Sequence, residues 1–85
     1  MSKLVRVEVR YYAQLRENLR LSREEVELEL PAAEEGILRV LATRHPAQEK
    51  LILASRVAVG DEYLPRGTLV REAESMDVIS PVSGG

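Results

Sequence analysis

Leu4-Val5-Arg6-Val7-Glu8-Val9-Arg10 alternates without a break: Val5, Val7 and Val9 fall on one side, Arg6, Glu8 and Arg10 on the other. Successive Cβ atoms of an extended chain point to opposite faces, so period two with β-branched residues predicts a half-buried strand. Residues 25–30 repeat the pattern, with Val26, Leu28 and Leu30 inward and Glu25, Glu27 and Glu29 outward. The intervening residues 11–23 are too many for a tight hairpin. Their two tyrosines, several charges and Leu15, Leu19 and Leu21 predict an ordered loop with room for one helical turn.

Pro31 closes the second strand. A helix is predicted over residues 33–45, with Ile37, Val40, Leu41 and Arg44 at i, i+3, i+4, i+7. Glu34 and Glu35 meet the positive end of its dipole, and Arg44 and His45 the negative end. Pro46 stops it. No Ser, Thr, Asp or Asn caps its start, and Gly36 costs ~1 kcal/mol relative to Ala; tight packing against the sheet is one explanation for that glycine. Residues 47–53 suit a second, shorter helix. Val57 and Val59 then precede Gly60-Asp61, a two-residue turn candidate of the Gly-first kind. Residues 62–64 form the return strand, residues 65–67 another turn, residues 72–75 a polar turn, and residues 76–79 a last apolar strand. The order implies an α+β fold: a mixed sheet with one main helix packed on one face. The core needs Val78 and Ile79, so the two ends of the chain are expected to pair in the sheet centre.

The chain has 85 residues, enough for one small domain. Its aromatics are three tyrosines, with no Phe or Trp, so the core must be aliphatic. The absence of cysteine removes disulfides, Cys-ligated zinc, iron–sulfur clusters and a thiol nucleophile. A net charge of −2 lacks the positive excess that displaces counterions from phosphates, so no nucleic-acid partner is expected. No apolar run approaches the ~20 residues that span a bilayer, and Met1-Ser2-Lys3-Leu4-Val5-Arg6 does not read as a signal peptide. The expectation is a cytoplasmic domain with no membrane contact.

Little in the interior carries chemistry. There is no Gly-rich phosphate loop, His-Glu-x-x-His or nucleophile elbow. His45 has Glu49 four residues on, but Pro46 breaks the helical spacing. His45 therefore reads as a helix C-terminal residue meeting the dipole, and no metal site is assigned. Glu24, Glu25, Glu27 and Glu29 read as solvated. With no carboxylate in an apolar pocket, no intrinsic hydrolytic site is expected.

The informative feature is the closing Gly84-Gly85. Glycine averages ~7% of residues, so two together here is roughly a half-per-cent chance event. A frayed tail or a cloning cut is the plain alternative. Against it, the pair follows directly on an apolar strand, Pro81 stiffens its base and Val82 is an apolar handle. Gly-Gly has no Cβ and takes almost any dihedrals, so it can thread a channel that any side chain would block. A carboxylate at its tip, ionised at neutral pH, can attack the α-phosphate of ATP in a partner enzyme. The acyl-adenylate that results can exchange AMP for sulfur, leaving a thiocarboxylate, or for an amine, leaving an amide.

The order of elements and the Gly-Gly end resemble the ubiquitin-like β-grasp family. Tyr11-Tyr12-Ala13-Gln14-Leu15-Arg16-Glu17 is similar to the aromatic-Ala-x-Leu-Arg-Glu stretch of the small, sulfur-carrying subunits of molybdopterin synthases. Val57-Ala58-Val59-Gly60-Asp61-Glu62-Tyr63-Leu64 resembles their Val-Ala-Val-Asn hairpin, and Val78-Ile79-Ser80-Pro81-Val82-Ser83-Gly84-Gly85 their apolar-Pro-Pro-Val-Ser/Thr-Gly-Gly tail. Gly60 stands for the usual Asn, Ser80 for the first Pro, which leaves the tail less stiff, and Glu74-Ser75-Met76-Asp77 for the usual Gly-Asp-Glu turn.

The resemblance implies a β-grasp domain over residues 1–79 and a flexible tail over 80–85. It implies that an E1-like enzyme, using ATP, adenylates Gly85. A sulfurtransferase then makes the thiocarboxylate, and the tail, with Gly84, enters the large catalytic subunit of the synthase to donate sulfur for the dithiolene. The carrier itself holds no cofactor. The positions matching the family's apolar docking face are Tyr12, Tyr63 and Ile79, followed by Pro81 and Val82; half-buried sheet residues are the plain alternative for the first three. Rival functions are a sulfur carrier for thiamine or tRNA thiolation, a ubiquitin-like protein modifier, and an interaction module whose Gly-Gly is incidental.

Overall fold

The computed structural model describes residues 2–81. The elements run β1 (Lys3–Tyr12), α1 (Ala13–Leu19), β2 (Arg23–Leu30), β3 (Ala32–Ala33) and α2 (Glu34–Arg44). A 3₁₀ turn over Pro46–Gln48 leads into α3 (Glu49–Leu53), followed by β4 (Arg56–Val59), β5 (Glu62–Tyr63), β6 (Leu69–Val70) and β7 (Ser75–Ile79). Five strands form a mixed sheet in the order β2-β1-β7-β4-β5. β1 lies antiparallel to β2 and parallel to β7, so the first and last strands meet in the sheet centre as expected.

Register explains the packing. Val5 faces Leu28 and Val7 faces Val26, which lines up the inward residues of β1 and β2. Val7, Val9, Leu15, Ile37, Leu41 and Val78 are fully buried in one aliphatic cluster beneath α2. Each contributes ~1.5–3 kcal/mol by leaving water. The opposite face of the sheet carries no helix among the described residues. This is the β-grasp arrangement that the resemblance implies.

Several local expectations are corrected. The loop expected over residues 11–23 holds α1, which buries Leu15 and ends at Arg20 in the left-handed conformation (φ 55°). α2 buries Ile37, Leu38, Leu41 and Ala42, so its core stripe is rotated from the expected one, and Val40 is 39% exposed. Gly36 is exposed, and a Cβ there would meet nothing within 4 Å, so close packing is not its reason. Gly60 and Asp61 both have positive φ (61° and 67°), the signature of a type I′ turn rather than the Gly-first type. β3 pairs with β6 as a separate two-stranded ribbon. Two-residue strands have no periodicity to read, so this pairing was not expected. Among the described residues no helix is long and apolar enough to cross a membrane.

Candidate functional site

Strand parity places the expected docking residues. Tyr11, Val57 and Val78 point into the core, so Tyr12, Arg56, Ala58 and Ile79 lie on the helix-free face. Tyr12 is the direct neighbour of Ile79 across β1 and β7, and Ile79 is the neighbour of Arg56 across β7 and β4. The Arg56 guanidinium sits 5.3 Å from the centre of the Tyr63 ring, a cation–π contact. Tyr12, Ile79 and Arg56 thus form one row across β1, β7 and β4, and Tyr63 of β5, the direct neighbour of Ala58, extends it through its contact with Arg56. Tyr12 and Tyr63 are 37% and 55% exposed and Ile79 is half-buried. Ile79, expected both in the core with Val78 and on the docking face, lies half-buried on this face and outside the core.

Hydrogen bonds hold the row at both ends. The Tyr12 hydroxyl donates to Asp77 Oδ1 at 3.3 Å. Arg56 Nε donates to Glu34 Oε2 at 3.0 Å, and its Nη2 donates to the Leu64 carbonyl at 2.9 Å. The sequence reading passed over Arg56. Its signal was parity: the residue before an inward Val57 must face the same way as Ile79.

β7 delivers the tail beside this row. Ser80, expected to loosen the tail base, is instead 1% exposed. Its hydroxyl accepts from the Leu15 N–H at 3.2 Å and donates to the Tyr12 carbonyl at 3.4 Å. Pro81 is exposed. Val82, Gly84 and Gly85, the remaining candidate residues, lie outside the described residues.

A second polar cluster closes the core at the start of β2. Glu24 was grouped with the solvated Glu25, Glu27 and Glu29, but it shares the parity of Val26 and pairs with the buried Val9. It accepts hydrogen bonds from the Tyr11 hydroxyl (2.5 Å), His45 Nε2 (2.7 Å) and Arg44 Nη2 (2.9 Å). Burial pushes the Glu24 carboxyl up, but the bonds from Tyr11, His45 and Arg44 outweigh it and hold the carboxyl below its ordinary value. Burial, then the bond to Glu24, raises the Tyr11 phenol. His45 thus turns to Glu24, not to Glu49. A carboxylate held ionised by three donors is a structural acceptor, not a general acid.

Three comparisons bear on this geometry. A Pyrococcus furiosus chain described as a candidate molybdopterin converting factor, subunit 1, is 22% identical with a TM-score of 0.72, covering 92% of this chain and 99% of that one. SAMP1 from Haloferax volcanii is 22% identical with a TM-score of 0.73, covering 95% and 100%. Subunits 1 and 2 of the molybdopterin-converting factor of Helicobacter pylori, solved as a complex, give 18% identity and a TM-score of 0.53, covering 95% and 100%. These likenesses establish the ubiquitin-like β-grasp fold. No curated protein matches the chain by sequence. The sequence model of the ThiS family matches residues 9–85, from the middle of β1 through the tail anchored at Ser80, and the chain belongs to that family.

Proposed function

We propose that this chain is the sulfur-carrying subunit of a molybdopterin synthase. The observation that carries the reading is where β7 ends. This central strand holds Ile79 beside Tyr12 and leads into Ser80-Pro81, four residues before the Gly-Gly end of the sequence. A partner that seats on the exposed row receives the tail in the same encounter.

The chemistry uses the Gly85 carboxylate. It attacks the α-phosphate of ATP, held by an E1-like enzyme, and pyrophosphate leaves. The terminal sulfur of a persulfide-bearing sulfurtransferase then attacks the acyl carbon and AMP leaves. A second thiol, of the sulfurtransferase or of a small-molecule reductant, attacks the sulfurtransferase-side sulfur of the resulting acyl disulfide, which frees the thiocarboxylate and leaves a disulfide. The carrier supplies no catalytic side chain. Its contribution is a docking face and a slim, stiff-based tail that enters the large subunit, where the sulfur passes to the pterin precursor. The Helicobacter pylori complex of subunits 1 and 2 supports a large-subunit partner. The likeness to SAMP1, described elsewhere as a small archaeal modifier protein, supports the second reading, in which an amine takes the acyl group.

The test is the intact mass of the chain after incubation with a cognate E1-like enzyme, ATP and a sulfur source. The expected result is a gain of one sulfur and loss of one oxygen, mapped to Gly85. The product should then convert the cyclic pterin precursor when mixed with the large subunit. An unchanged mass, under conditions that charge another Gly-Gly carrier, overturns the reading. Lysine conjugates in place of thiocarboxylate select the modifier.

A further inference from the structure

We propose that Ser80 is a positioning residue for the tail: its hydroxyl ties the tail base to the start of α1 and so fixes where and in which direction the tail leaves the sheet. The inference rests on the sulfur-carrier reading.

The first four N–H groups of a helix have no acceptor within it. In α1 the Leu15 N–H is one of these, and the residue at the cap position, Tyr12, makes no side-chain cap bond. Ser80, 65 positions away, supplies the oxygen instead. It does from another strand what a local serine does at an N-cap. The same hydroxyl reaches the Tyr12 carbonyl, so it bridges the two sides of the β1–α1 junction. Between them Ala13 holds φ 58°, a left-handed conformation that is strained for a residue with a Cβ. Such a conformation persists only where neighbours over-determine it, and the Ser80 bridge spans it.

The anchor sits where leverage is greatest. Ser80 is the last buried residue among the described residues, and the following Pro81 biases it toward extended backbone. From Pro81 to Gly85 the chain can reach at most ~14 Å. A shift of the base moves the point from which that length of chain must reach the partner's reacting site. Reaction rates are steep in such placement, on the order of a hundredfold for 1 Å. The Ser80 side chain is not in the docking row and touches Tyr12 only at its backbone, so the row's side chains are kept while the carboxylate is misplaced.

The experiment compares the full-length wild type, Ser80→Ala and Ser80→Thr, each shown to be folded by circular dichroism. Two quantities are read: ATP–pyrophosphate exchange by a cognate E1-like enzyme, and hydrogen exchange at the Leu15 amide. For Ser80→Ala the expected results are kcat lower by on the order of tenfold, KM within about twofold, and faster exchange at Leu15. Ser80→Thr, which keeps the hydroxyl, should recover most of kcat. A merely structural role would leave the kcat of the folded chain unmoved. If Ser80→Ala does not fold, Ser80→Cys, near-isosteric with only a weak donor and acceptor, is read in the same way. An unchanged kcat in a chain whose wild type is adenylated overturns the role of Ser80 alone. A wild type that is not adenylated, beside a Gly-Gly control that is, overturns the carrier reading and with it this role.

Discussion

His45 Nε2 lies 2.7 Å from Glu24 Oε2, joining the end of α2 to the start of β2. A carboxylate held ionised can only accept, so the proton between them sits on His45 Nε2. Glu24 therefore collects three donors at the rim of an otherwise aliphatic core.

Glu24→Gln is expected to lower the unfolding free energy by ~2–3 kcal/mol at neutral pH, since bonds to a charged group are worth more than neutral ones. The pH dependence has a definite sign. The Glu24 carboxyl is held below its ordinary value of 4.5 in the folded chain, so its stabilisation is complete above that value. It is lost as pH falls through the lowered folded value. Urea unfolding between pH 7 and pH 3 should show the wild type losing its advantage over Glu24→Gln on acidification. Parallel curves for the two chains would remove Glu24 from the acid response.

Gly36→Ala is expected to stabilise the chain by ~0.5–1 kcal/mol. The position is helical and exposed, with open space where the Cβ would go. Thermal unfolding checks it, and a lower midpoint would mean that the fold needs glycine there despite the open space.

Leu41→Ala is expected to cost ~2–5 kcal/mol. Leu41 is 0% exposed and is the point where α2 meets the sheet-facing cluster. Small domains have ~5 kcal/mol or little more to lose, so a large fraction of the chain should be unfolded at 37 °C by circular dichroism. A loss below ~1 kcal/mol would show that the site collapses around the gap.

Tyr63→Ala is expected to weaken binding to the large synthase subunit by at least ~5-fold, as tyrosine anchors in interfaces typically do. Stability should change by less than ~1 kcal/mol, because the ring is 55% exposed and its cation–π contact with Arg56 is at the surface. Isothermal titration against the large subunit reads the affinity, and urea unfolding reads the stability. Unaltered affinity would move the docking surface away from this end of the row.

Alternation in residues 4–10 and 25–30 determined two strands and their inward faces, because period two follows from the geometry of an extended chain. The breaks at Pro31 and Pro46 determined the span of α2 to within a residue or two. The Gly-Gly end and the Tyr-Ala-x-Leu-Arg-Glu stretch determined the family. Tertiary structure decided what depends on residues far apart in the chain. Glu24 looked solvated beside its glutamates, and only pairing with Val9 and the arrival of His45 made it a half-buried acceptor. Ser80 looked like a loosened proline, and only the return of β7 alongside β1 brought its hydroxyl to Leu15. Periodicity is local, set by each residue's own dihedrals; hydrogen-bond partners 20 to 68 positions apart are set by the sheet order that brings their strands together.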